Sequence, residues 1–213
     1  DDVLFRDAVV EAMDLAEALA PGQTLDSYGE AAATMERTMQ AVGRGARRGK
    51  DHVEIAKFAA SQLLEETRIA AFSLNGWDTH SGQAGGIGRA LGQLSDVVLA
   101  LRDGLGPVWG KTAVLMMTEF GRTLRENGTR GTDHGTGGAM VLAGGALRGG
   151  RVFGAWPGLG EGELYQDRDL LATTDVRAFA GAAMRGLFGL SVSQLESAIF
   201  PGLDMAGAPE LVL

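Results

Sequence analysis

Cysteine is absent from the 213 residues, which excludes thiol nucleophiles, disulfides and any cysteine-ligated zinc or iron–sulfur centre. A bound metal must then be held by histidine and carboxylate, a donor set suited to zinc, manganese, calcium or magnesium. Long hydrophobic runs are missing as well. None approaches the roughly 18 to 20 residues that span a bilayer. Positive charge is in deficit, with 19 Lys and Arg against 27 Asp and Glu and a formal net charge of −8. That balance leaves no excess cations to neutralise phosphates and argues against a nucleic-acid partner. The one basic cluster, Arg44 to Lys50, reads as a solvated helix end and loop. The opening DDVLFRDAVVEAMDL is acidic and amphipathic, with neither the initiator Met nor the basic and apolar regions of a signal peptide. A processed or truncated chain is the expectation.

What remains is a globular composition, 45% hydrophobic and 22% charged, sized for a single domain. Its 33 glycines concentrate between Gly76 and Gly162, among the polar motifs, as in loops at strand ends. The first 66 residues read as mainly helical. Helices are expected over 2–19, ended by Pro21-Gly22, over 26–47 behind Asp26 or Ser27 as N-cap, and over 51–66. From residue 67 the pattern changes to short apolar runs and helices in alternation. Strands are expected at Ile69 to Leu74, Thr112 to Met117, Gly138 to Ala143 and Arg151 to Gly154, with helices over 83–104, 169–187 and 192–198. Such alternation indicates an α/β fold with a largely parallel sheet flanked by helices. Met116 and Met117 are expected in the core, His52 exposed, and Trp77, Trp109 and Trp156 packed between loops and sheet.

Ligands of open α/β sheets bind beyond the carboxyl ends of the strands, so the polar groups there carry the functional reading. Asp78 and His80 follow the first strand; two residues apart, they share a face when extended and can reach one ion. Their alternative roles are a helix cap and a structural hydrogen bond. Glu119 follows the second strand, where an unpaired buried carboxylate is costly. Arg122 is either its structural partner or a fork for a phosphate or sulfate group. Asp133 and His134 lie between glycines before the third strand, where a capping turn is the plainer alternative. Two of the chain's three histidines thus stand beside aspartates in these segments, and together they favour a His and carboxylate metal site.

The motifs Gly-Trp-Asp-Thr-His at 76–80, Glu-Phe-Gly-Arg-Thr at 119–123 and Gly-Thr-Asp-His-Gly at 131–135 resemble the signature of a bacterial family, domain of unknown function 1501. Gly149 to Gly154, Trp156-Pro157 and Phe200 to Gly202 are in keeping with it, so the resemblance covers roughly residues 50–203. It implies kinship with alkaline phosphatases and sulfatases and export by the twin-arginine route, hence a periplasmic or extracellular site. In that superfamily an Asp and a His follow one strand, matched by Asp78 and His80. An Asp-His pair follows the next, where only Glu119 survives beside Phe120. A last His precedes another strand, matched by His134, with Asp133 as an added ligand or a partner orienting His134.

The resemblance implies an alkaline-phosphatase-like domain lacking its N-terminal portion, where the nucleophile, the first Asp ligand and the signal are expected. It implies a metal-dependent hydrolase or transferase acting on small phosphate or sulfate esters. Asp78, His80, Glu119, Asp133 and His134 would hold zinc or manganese, with calcium or magnesium as the alternatives, and Arg122 would clamp the developing oxyanion. The other reading is a non-catalytic exported protein that keeps the metal for stability or surface recognition. With Phe120 in a ligand's place and the nucleophile upstream, this chain is expected to bind one ion well without hydrolysing esters.

Overall fold

Residues 51–213 are described in a computed structural model. The helices expected over 2–19 and 26–47, and the basic cluster from Arg44, lie outside the described residues. The chain divides into two compact units, whose described parts are 51–75 with Arg89–Val108, and Gly76–Gly88 with Trp109–Leu213. Among the described residues no helix is long and apolar enough to cross a membrane.

In the first unit, α1 (Asp51–Leu64) places Asp51 and Glu54 in its first turn, where the helix dipole favours negative charge. Its buried residues, Ala56, Ala59 and Ala60, recur at helical spacing and form a narrow face of small side chains. Helix α2 (Gln83–Leu105) starts in the second unit and runs into the first, where it buries Ala90, Val97, Leu101 and Leu105. The two helices approach closely where Gly104 faces Ala60. A Cβ on Gly104 would lie 2.9 Å from that of Ala60, so a larger residue would push the helices apart. His52, expected to be exposed, is largely covered instead and lies 3.4 Å from Asp96. Ile69 to Leu74 is not the buried strand its apolar run suggests. It forms no ladder among the described residues, and its positions are half-buried or exposed, none of them buried. A strand needs a hydrogen-bonded partner as well as apolar side chains.

The second unit holds two short antiparallel pairs. Strands β1 (Val114–Met116) and β4 (Val141–Ala143) pair with Leu115 opposite Leu142. Strands β2 (Gly121–Arg122) and β3 (His134–Gly135) pair with Arg122 opposite His134. The parallel ladder expected from the alternating pattern is not among the described pairings, which are antiparallel. Met117 lies just past β1 and is 51% exposed rather than core. Arg151 to Gly154 forms no strand, Val152 is fully exposed, and Trp156 stands in solvent rather than packing a loop.

Helix α3 (Val176–Phe188) begins later than expected because Asp175, its N-cap, accepts from the Arg177 N–H. It ends at Gly189, whose left-handed backbone (φ 71°) lets its N–H reach the Arg185 carbonyl. Its inner face, Ala178, Gly181, Ala182 and Ala183, is small enough for other segments to come close. Ala182 and Ala183 pack with Leu211 against Leu115, Leu142 and Phe179. Ala178 packs with Leu195, Leu203 and Met205. Leu195 follows α4 (Val192–Gln194), which opens with a reciprocal cap between Ser191 and Gln194, and starts the wider turn Leu195–Ile199. Leu195 is fully buried, so Leu195→Ala should cost about 2 to 5 kcal/mol in urea unfolding. Val192→Ala, at a partly exposed position, should change stability by no more than about 0.5 kcal/mol.

Candidate metal centre

Three segments of the second unit carry the site. At 77–80 the Thr79 N–H donates to the Trp77 carbonyl, which curls the backbone at Asp78. Asp78 and His80 face outward while Thr79 between them is buried. The Thr79 hydroxyl donates to the side-chain oxygen of Gln83, and the Thr132 hydroxyl donates to the same atom. Two buried hydroxyls and one amide thus lock the first loop to the third. The second segment is β2, which sets Arg122 directly opposite His134 of β3; paired residues present their side chains on one face.

The donor atoms converge closely. His134 Nε2 lies 2.8 Å from Asp78 Oδ1, His80 Nε2 lies 3.1 Å from the same oxygen, and the two Nε2 atoms are 3.0 Å apart. Atoms sharing one ion at about 2.0 to 2.2 Å sit roughly 2.8 to 3.6 Å from each other. One carboxylate oxygen and two imidazole nitrogens at these separations fit a divalent cation in both chemistry and spacing. The side chains of His80, Asp78 and His134 are 46%, 62% and 45% exposed, so the centre opens to solvent.

Its charges are arranged in advance. The His134 hydrogen bond, followed by that of Arg122, holds the Asp78 carboxyl below the usual carboxylate range. The Asn127 amide and then His80 do the same for Asp133. The Arg122 guanidinium donates to Asp78 Oδ1 at 2.8 Å, to the Trp77 carbonyl at 2.7 Å and to the Thr132 carbonyl at 2.9 Å. It is neither a partner for Glu119 nor an unengaged anion fork; it holds Asp78. Glu119 is exposed and stands outside the donor cluster. Phe120, in the bend that leads into β2, stacks its ring on His134 at 3.7 Å. Asp133 lies 3.3 Å from His80 Nδ1, so the ring it meets is that of His80, not His134.

Close backbone crossings support the loops. A Cβ on Gly131 would overlap the His80 carbonyl, and one on Gly121 would overlap that of Gly137. Gln83 and Asp169 are organising residues that sequence reasoning passed over, and Asn127, noted there only as part of the polar loop before the third strand, is a third. Asp169 is fully buried and accepts from the Thr136 N–H, just beyond His134, and from Arg168. Burial pushes its carboxyl up, but the Thr136 bonds and Arg168 outweigh burial and hold it below its ordinary value. A depressed folded value stabilises the fold above the unfolded-state pKa of about 3.9 and loses that contribution as pH falls through the folded value. Wild type should therefore be more stable than Asp169→Asn at neutral pH, with the gap narrowing below about pH 4. Urea midpoints measured across that range check this, and a constant gap would remove Asp169 from the role.

The comparisons with known proteins bear on the same segments. A family model described as protein of unknown function, DUF1501, matches residues 5–198. No curated protein and no solved structure matches the chain. The match extends well before residue 50 and takes in all three site segments, while Phe200 to Gly202 fall just beyond it. Covering most of the chain, it shows that this protein belongs to the DUF1501 family.

Proposed function

We propose that the chain holds one divalent metal ion through Asp78, His80 and His134 and serves hydrolysis or transfer of small phosphate or sulfate esters. The observation that carries this is the mutual approach of Asp78 Oδ1, His80 Nε2 and His134 Nε2 within 2.8 to 3.1 Å. Two imidazoles beside one carboxylate suit zinc or manganese better than calcium or magnesium, which take mainly oxygen. Held by Asp78, His80 and His134, an ion would supply Lewis-acid polarisation of an ester oxygen and lower the pKa of a bound water. The chain's own residues prepare for it: Arg122 keeps Asp78 ionised and aimed, and Phe120 lies flat on His134. Kinship with alkaline phosphatases and sulfatases, a largely parallel α/β sheet and twin-arginine export belong to the same reading. The order of the three motifs supports that kinship, while the strand pairs of the described residues are antiparallel.

The second reading is a non-catalytic exported metal-binding protein. It is favoured by Arg122, whose bonds to Asp78 and two carbonyls occupy the fork a phosphate would need. Phe120 favours it too, since its ring covers His134 where a second ion's ligand would be expected.

Calorimetry with zinc and with manganese should give one tight site per chain. His134→Ala should weaken it at least about 100-fold, because two donors hold far less well than three. Glu119→Ala should leave it within about twofold. Aryl phosphate or sulfate turnover by the metal-loaded chain, lost in His134→Ala, supports the hydrolase and overturns the expectation that its nucleophile lies upstream; binding without turnover is the outcome expected of this chain under either reading. No metal binding at all overturns both.

A further inference from the structure

We propose that Asn127 and Asp133 form a positioning pair for His80, fixing its ring with Nδ1–H towards Asp133 and a bare Nε2 turned to Asp78 and His134. The metal-centre reading supplies what the ring is aimed at; how the ring is held stands apart from it.

The inference starts from two backbone amides. The N–H groups of Thr129 and Gly131 both donate to Asn127 Oδ1, each at 3.0 Å. The Thr129 hydroxyl touches the same oxygen at 2.9 Å, but its single proton has a closer acceptor in the His80 carbonyl at 2.6 Å. Two fixed donors therefore settle which end of the Asn127 amide is oxygen. Its NH2 group must face the other way, where it donates to Asp133 Oδ1 and to the His80 carbonyl, both at 3.0 Å. Both acceptors lack a proton to offer, so a flipped amide would set oxygen against oxygen.

Asp133 Oδ1, held in this way, lies 3.3 Å from His80 Nδ1. A carboxylate oxygen can only accept. Although Nε2 lies 3.1 Å from Asp78 Oδ1, its hydrogen bond runs to His134 Nε2, and Nδ1 is the nitrogen that meets a carboxylate in hydrogen-bond geometry. Nδ1 therefore carries the proton and Nε2 of the neutral ring keeps its lone pair. Neutral imidazole in water favours the opposite tautomer, with the proton on Nε2. The loop thus reverses an intrinsic preference and presents a metal-ready nitrogen before any ion arrives. Asn127 reaches both ends of the residue: the carbonyl of His80 directly, and its ring through Asp133. Gly131 permits this, since any side chain there would collide with the His80 carbonyl.

The test reads the tautomer directly. The full chain has three histidines, so long-range proton–nitrogen correlation on a histidine-labelled sample gives three resolvable rings. At mildly alkaline pH, where unperturbed imidazole is neutral, wild-type His80 should show Nδ1–H. Asp133→Ala should return it to Nε2–H, Asp133→Asn should retain much of the Nδ1–H form by keeping an acceptor, and Asn127→Ala should fall between. Zinc affinity by calorimetry should drop about 10- to 100-fold in Asp133→Ala, and stay unchanged in Glu126→Ala, an exposed acid of the same loop. An Nε2–H His80 in the wild type overturns the pair without any variant, as does an Nδ1–H ring that survives Asp133→Ala. If the wild type binds no zinc, yet Asp133→Ala still releases the tautomer, the metal-centre reading fails and the pair stands.

Discussion

The Arg122 guanidinium bonds at once to the Asp78 carboxylate and to the carbonyls of Trp77 and Thr132. Those bonds tie the loop bearing Asp78 and His80 to the segment bearing His134, and the donor cluster exists because the two are tied. A planar fork can satisfy several acceptors in fixed directions; an ammonium on a flexible stem cannot impose that geometry. The same commitment shapes the chemistry of the site. Three of the guanidinium's five N–H groups are spent on the protein's own oxygens, one of them on the carboxylate it holds.

Beneath these bonds the backbone is packed at van der Waals limits. Gly121 passes the Gly137 carbonyl, and Gly131 passes that of His80, with no room at either crossing for a side chain. Gln83 gathers the two buried threonine hydroxyls on one oxygen, and Asp169 receives the Thr136 N–H from below. Polar groups removed from water are costly unless partnered, so each of these contacts also selects one arrangement of the loops over its competitors.

The members of the donor cluster were legible in the sequence because they are rare and regularly placed. Asp78 and His80 at an i, i+2 spacing and Asp133-His134 between glycines fall in polar segments around apolar runs, although caps and structural hydrogen bonds were open to the same residues. Glu119 stands outside the cluster, since its position after a strand says nothing about which way its side chain faces once the chain bends at 119–120. Asn127 and Gln83 carry no periodic signal; an amide in a loop becomes visible only when its distant partners are known. The helix start at Asp175 was readable in principle from the cap, yet the preceding apolar residues at 170–172 masked it. The strands suffered from a different ambiguity. An apolar run reports burial preference, and Ile69 to Leu74 shows that a ladder does not follow from it.

The openness of the cluster bears on kinetics. With every donor side chain roughly half in water, an ion held there could come and go without any part of the fold having to part. Loading and release would then need no local unfolding, and ligand exchange at the ion would set their rate. A buried structural zinc, by contrast, is trapped for the life of the fold and reports nothing about the solution outside.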